Sequence, residues 1–259
     1  MRRILVEEPF SQSALWSSRL AVFALATAAV SVGLARGLGV EPRNVLAVFG
    51  AALTLAFLSI LLAAAAAVVI WRTGMRGAGQ AGFGFALALA LIAYPAYLTF
   101  RAIALPPLAD VSTDFDQPPS FMISTKARLA RAGYVPPPFN RATAVDQRQA
   151  YPDIVPLFVD LEAPQAFQMS LSVAKDIGWR IVDASPPNLR GDGVAYIEAL
   201  DRSLVFGFPV DIAIRITPLA NQTRIDIRST LRVGKHDFGG NARRIRKFLA
   251  AAQDFQEEK

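Results

Sequence analysis

Apolar residues run almost without interruption through much of the first hundred positions and alternate with polar ones toward the C-terminus, so two parts of the chain suit different surroundings. Residues 20–35, "LAVFALATAAVSVGLA", are uncharged and reach spanning length when Leu15 and Trp16 join them, with Arg19 reaching back toward headgroups. Residues 45–71 carry no charge over about 27 positions, more than the roughly 20 needed to cross the hydrocarbon. Residues 81–100 are again long enough, with Pro95 as a kink and Tyr94, Tyr97 and Phe100 as interfacial aromatics. The pattern predicts three transmembrane helices, about 15–36, 45–71 and 81–100, forming a membrane anchor over residues 1–101. A cleavable signal peptide fits the first stretch poorly, because "SVGLARGLGV" is a weak cleavage site and two longer spans follow.

From 102 to 150 no period is sustained, and prolines cluster at Pro106-Pro107, Pro118-Pro119 and Pro136-Pro137-Pro138. This segment reads as a stiff, extended linker with a short helix near 123–132. Residues 151–259 read as a folded domain. A strand at 155–160 precedes a helix that Pro164 opens and that runs to about Gly178, with Phe167, Leu171, Ala174 and Gly178 on one face. "WRIVDA" and "GVAYIEAL" follow as short strands. A long alternating run then places Leu204, Phe206, Phe208, Val210, Ile212, Ile214 and Ile216 on one face, and a second places Ile225, Ile227, Leu231 and Val233 on one face. A final amphipathic helix, from 241 to about 256, turns Ile245, Phe248, Leu249, Ala252 and Phe255 inward. The expected fold class is α+β, an antiparallel sheet with two helices on one face, preceded by three transmembrane α-helices.

A hairpin turning around Ala220-Asn221 sets the register of the two long strands, with Arg215 opposite Asp226 and Asp211 opposite Thr230. The face away from the helices then carries Asp211, Arg215, Arg224, Asp226, Arg228 and Arg232. Two accounts suit it: a solvated surface of cross-strand ion pairs, or an anion-binding surface on which base outnumbers acid.

Composition sharpens the division. The 259 residues are 53% hydrophobic and 19% charged, and the net charge is +6. With no cysteine, disulfides, thiolate catalysis and thiolate metal sites are excluded, and with one histidine so is a multi-histidine metal site; no cofactor or metal is expected. No basic stripe with interleaved aromatics points to nucleic acid. Arg2, Arg3, Arg19, Arg72 and Arg76 fall on one side of a three-span layout and Arg36, Arg43 and Arg101 on the other. The positive-inside rule therefore puts the N-terminus in the cytoplasm and the C-terminal domain outside it, which in a Gram-negative bacterium means the periplasm. No ionisable group sits deep in the second or third span, so the spans read as an anchor rather than a transport path.

The densest candidate chemistry is "RVGKHDFGGNARRIRKF", residues 232–248. "DFG" lacks the other kinase motifs, and "GK" lacks the remaining positions of a phosphate-binding loop. Gly234, Gly239 and Gly240 suit a sharp strand-to-helix turn, and Asp237 or Asn241 suits a helix cap. Arg243, Arg244 and Arg246 nonetheless crowd the positive end of that helix, where bases are unfavourable. Either Asp237 neutralises them, or an external anion does, held by the helix N-terminus, Arg244, Arg228 and Arg232. Upstream, Asp110, Asp114 and Asp116 invite a calcium reading, but an EF-hand loop starting at Asp114 would need glycine and glutamate where Pro119 and Thr125 stand. His236 beside Asp237 lacks an evident nucleophile and reads as an exposed turn residue. Asn221-Gln222-Thr223 matches a glycosylation sequon, which has meaning only on a eukaryotic secretory route.

"IRSTLRVGKHDFGGNARRIRKFL", with "FGFPVDIAIRI", "AYPDIVPL" and "STDFDQPPSF", resembles the bacterial family of unknown function 1499 in its membrane-anchored form, from about Asp110 to the C-terminus. The family's characteristic positions match at Arg228, Ser229, Arg232, Val233, Gly234, Asp237, Gly239, Asn241, Arg244 and Ile245. Members often show paired acids where this chain has Val210-Asp211, so a role needing two carboxylates there is not expected. The resemblance implies a layout but no activity. The expected protein is a multi-pass envelope protein of the bacterial inner membrane whose outer module binds an anionic lipid headgroup, a small anion or an envelope protein partner. Its candidate ligand-binding residues are Arg228, Arg232, Asp237, Asn241, Arg244, Asp211 and Arg215. The alternative is a membrane-surface hydrolase or other enzyme using Asp211, Asp237 and nearby arginines.

Overall fold

The computed structural model describes residues 9–121, 124–188 and 191–257, and divides into two compact units, Met1–Phe100 and Arg101–Lys259. Arg2 and Arg3 of the charge balance, and Ile123 of the expected short helix, lie outside the described residues.

In the first unit, α1 (Gln12–Gly37) and α2 (Pro42–Thr73) precede α3 (Ala78–Ala104), which begins here. At 26, 32 and 27 residues, all three are long and apolar enough to cross a membrane. Their packing is that of helices in lipid, with small residues inside and large ones outside. Ala14, Ser17, Ala21, Ala24, Ala28 and Ser31 of α1 are buried at alternating steps of three and four, while Phe23, Val30, Phe57 and Trp71 are exposed. The close approach lets serines bond across helices: Ser17 Oγ donates to the Ser59 carbonyl at 3.0 Å, and Ser59 Oγ to the Ser17 carbonyl at 2.8 Å. Thr27, Thr54 and Thr99 instead return their hydroxyl protons to carbonyls one turn back, so these exposed hydroxyls are satisfied within their own helices.

The second unit is built on an antiparallel sheet of six strands in the order β1-β6-β5-β4-β3, with β2 sharing the β6 edge with β1. The strands are β1 (Asp110–Ser112), β2 (Leu157–Val159), β3 (Arg180–Ser185), β4 (Ala195–Arg202), β5 (Pro209–Pro218) and β6 (Thr223–Leu231). Arg215 pairs with Asp226 and Asp211 with Thr230, the register expected from the polar pattern. Ile197, Ile212, Ile214, Ile216, Ile225 and Ile227 form the apolar face, fully buried against α6 (Ala163–Asp176) and α7 (Gly240–Glu257). Trp179 stacks on Phe248 of α7 at 5.5 Å, filling the end of this layer.

Two expectations change. The first alternating run does not begin at Leu204: residues 203–208 form the β4–β5 turn, and Leu204 is 77% exposed. Gly207 takes a φ of 68°, and the turn is closed by Ser203, whose amide donates to the Phe208 carbonyl and whose hydroxyl accepts the Phe208 amide. The stretch read as a linker also contributes structure of its own. Besides β1 it holds α4 (Thr125–Ala130), a 3-10 turn at Arg141–Thr143 and α5 (Ala144–Ala150). It lies over the sheet face opposite α6 and α7, so that face is not solvated: Asp211, Asp226 and Arg228 are all buried. Gln147 of α5, itself fully buried, completes the outer edge of β1 by accepting the Ser112 amide and donating to the Ser112 carbonyl.

A Cβ on Gly84 would clash with Ser17 Oγ and lie 2.8 Å from the Ser17 backbone, whereas one on Gly82 would meet nothing within 4 Å. Gly84→Leu is therefore expected to lower the thermal midpoint of helix loss for the full chain in detergent by several degrees, and Gly82→Leu to leave it unchanged, as read by circular dichroism.

Candidate functional site

The polar face of the sheet is an interior of charges. Arg215, Arg224, Arg228 and Arg232 point from the strands, and Arg131 descends from the end of α4. Their counter-charges come partly from the sheet and partly from the covering segment. Asp110 takes Arg228 in a two-pronged contact, Nε to Oδ1 at 3.0 Å and Nη2 to Oδ2 at 2.6 Å. Asp114 Oδ2 accepts from Arg215 at 2.9 Å and Arg224 at 2.8 Å, and its other oxygen accepts the amides of Asp116 and Gln117. Asp226 is shared by the same two arginines. Asp211 accepts from Arg131 and Arg232, each at 2.6 Å, and Arg131 extends to Glu198 at 2.5 Å. Five acids thus face five arginines, and the excess of base expected from the two long strands alone is closed by Asp110, Asp114 and Glu198.

Aromatic rings complete the cover. Phe121 lies 5.3 Å from the Arg131 guanidinium and 5.0 Å from that of Arg228, Phe139 lies 5.6 Å from Arg228, and Tyr134 lies 4.7 Å from Arg232. Beside these rings is a cavity of about 340 Å³, lined by Ser120, Phe121, Arg128, Arg131, Tyr134, residues 135–138 and Arg228.

Burial sets the electrostatics. Desolvation pushes the Glu198 carboxyl up to about 7 although Arg131 pulls it down, and the nearby charges of Asp183 and Asp211 add to the rise. Asp110 is likewise raised by burial against the pull of Arg228. Burial also opposes ionisation of Asp114, but the Gln117 and Asp116 amides with Arg224 and Arg215 hold its carboxyl below the usual range.

The turn at 232–240 is a second and separate arrangement. Asp237 Oδ1 accepts the Gly239 amide at 2.8 Å and Oδ2 the Asn241 amide at 2.6 Å, so Asp237 caps α7. Asn241 accepts from Ser229 Oγ and donates to the Ala109 carbonyl, tying α7 to the sheet edge. Arg244 reaches Asp201 at 2.5 Å, and Arg246 reaches Asp153 at 2.5 Å. His236 Nδ1 accepts the Phe238 amide and Nε2 lies 3.1 Å from the Leu105 carbonyl, a turn brace rather than an acid–base pair with Asp237. Phe238 is held at a φ of 52°, the left-handed region, by this brace.

Asp211, Arg215, Arg228 and Arg232 therefore meet on the covered face, while Asp237, Asn241 and Arg244 belong to the helix turn beside the opposite face. The joint anion site imagined for Arg244, Arg228 and Arg232 is not assembled, and the dilemma of Asp237 or an external anion has a third answer in Asp201 and Asp153. The sequence profile of the family described as "Protein of unknown function (DUF1499)" matches residues 110–251, more than half of the chain. The chain belongs to that family. Its DUF1499 region opens at the first residue of β1 and so includes the covering segment together with the sheet. A search of curated proteins gives no match.

Sequence reasoning missed Glu198, Arg131, Asp201 and Asp153. Glu198 had a signal: an acid inside the apolar run "AYIEAL" needs a partner if the strand is central. Because its folded-state carboxyl titrates near 7 rather than 4.5, Glu198 contributes stability that is complete below about pH 4.5 and is lost as pH rises through about 7. The stability of the wild-type domain relative to Glu198→Gln is accordingly expected to fall by up to about 3 kcal/mol between pH 4.5 and 8, measured by denaturant unfolding of the full chain in detergent.

Proposed function

We propose that this DUF1499 protein is a multi-pass protein of the bacterial cytoplasmic membrane, anchored by three spans, whose α+β domain lies outside the cytoplasm and acts as a binding module for a small anionic ligand. The orientation rests on the five-to-three distribution of flanking arginines. The ligand class rests on one observation, the cavity of about 340 Å³ in the cover. Its walls at Phe121, Tyr134, Val135 and the triple proline are apolar and stiff, as ligand pockets generally are, and its charged groups are guanidiniums.

Those guanidiniums are not equal. Arg131 and Arg228 are buried and engaged by internal acids, so neither is free to take a ligand. Arg128 is exposed and makes no ion pair among the described residues, which leaves it able to close on a carboxylate or phosphate entering the cavity. A hydrolase built on Asp211 and Asp237 gains no support from the geometry. Both carboxylates are buried and spend their oxygens on internal donors.

The test uses the full chain in nanodiscs and follows thermal shift with phosphate, citrate and medium-chain carboxylates. At least one is expected to stabilise the domain, and Arg128→Ala to weaken that binding roughly 10- to 100-fold, the loss of one charge-assisted bond, without changing the unliganded midpoint. If no anion shifts the midpoint, or if Arg128→Ala binds as the wild type does, the cavity is not an anion site.

A further inference from the structure

One end of the sheet gathers features that the cavity does not use. There β4 passes to β5 through residues 203–208, and β6 passes to α7 through the capped turn. The chain also joins the sheet there: the Ala109 carbonyl accepts the Leu231 amide, and the Leu108 carbonyl accepts the Asp237 amide.

The β4–β5 turn is an apolar projection. Leu204 is 77% exposed, Val205 and Phe206 are half-exposed, and Phe206 stacks on Phe208 at 5.3 Å. Its shape is fixed rather than floppy, because Gly207 donates to the Ser203 carbonyl at 3.0 Å and Phe208 to Ser203 Oγ at 2.9 Å. A rigid cluster of large apolar side chains in water is a feature that soluble surfaces avoid.

The unpaired charges on the elements that meet at this end are basic among the described residues. Arg202 at the base of the turn, Lys235 in the β6–α7 turn and Arg243 on the first turn of α7 are all exposed, and none is ion-paired among the described residues. The acids Asp201 and Asp153 do not offset them, since Arg244 and Arg246 hold these at 2.5 Å. Arg243 is thus the base at the helix N-terminus that the interior leaves unanswered.

We propose that this end of the sheet is a lipid-binding face: Leu204, Val205 and Phe206 dip into the interfacial layer of the bilayer, and Arg202, Lys235 and Arg243 engage anionic headgroups. An apolar tip with bases on the adjoining turns is the chemistry of interfacial anchors, in which buried apolar area and attraction to anionic lipid add. The tether favours a bilayer over any other occupant. Only residues 105–109 separate the end of α3 from β1, a reach of at most about 18 Å, and they arrive at this end of the sheet. The proposal is independent of the cavity, which lies over the polar face.

The chain contains no cysteine, so Leu204→Cys or Phe206→Cys carries a single spin label in the otherwise unaltered protein. Leu219→Cys, at the β5–β6 turn of the opposite end, is the control. In vesicles of phosphatidylcholine with one-third phosphatidylglycerol, the labels at 204 and 206 are expected to collide more with oxygen than with a water-soluble nickel complex, and the label at 219 the reverse. Arg202→Glu with Arg243→Glu is expected to return the 204 label toward the control value. Labels at 204 and 206 as open to nickel as the control overturn the proposal, as do labels shielded from both colliders, which would mean a protein partner. The same readings in vesicles of phosphatidylcholine alone would overturn the anionic-headgroup part.

Discussion

The domain depends on the pairing of arginines from the sheet with acids from the segment that precedes it. A guanidinium buried without a partner costs several kcal/mol, and Arg228 is 3% exposed. The sheet therefore cannot close its polar face unless Asp110 and Asp114 arrive with the covering chain, and the covering chain has no apolar periodicity with which to fold alone. Sheet and cover are one cooperative structure, with an isoleucine layer on one side and an ion-pair layer on the other. The family match, residues 110–251, takes in both the covering segment and the sheet.

Covering both faces moves the free surface to the ends of the sheet and to the cavity in the cover. Residues 232–248 illustrate the consequence. Asp237 is spent on amides, Asn241 on Ser229 and Ala109, and Arg244 and Arg246 on Asp201 and Asp153, so most of this conspicuous stretch holds α7 in place. What it leaves outward is Lys235 and Arg243, at the end of the sheet where the apolar β4–β5 turn also lies. The positive end of the helix is thereby quieted internally at two of three arginines, and the third, Arg243, makes no ion pair among the described residues.

Much of this was legible from residue patterns. The three helices of spanning length follow from uncharged runs, and the β5–β6 register follows from matching Arg215 to Asp226 and Asp211 to Thr230, because both depend on local periodicity. The cover was not legible, since its order comes from Arg131, Asp110 and Asp114 meeting residues about 80 to 118 positions away, and prolines hide that behind the signature of a linker. Leu204 and Phe206 were misread as strand because apolar alternation continues through a turn that Gly207 and Ser203 close. The candidate site residues were identified individually, but which face each would occupy depended on the cover and on α7, and periodicity does not report that.

The most direct test of the buried pairing is a double-mutant cycle on Asp110→Ala and Arg228→Ala, with unfolding of the full chain in detergent followed by denaturant titration. Each single change is expected to cost about 3–5 kcal/mol by stranding the other charge, and the double mutant to cost clearly less than the sum, a coupling of at least about 1 kcal/mol. Costs that simply add would contradict the account, because Asp110 and Arg228 would then not be partners holding the cover to the sheet.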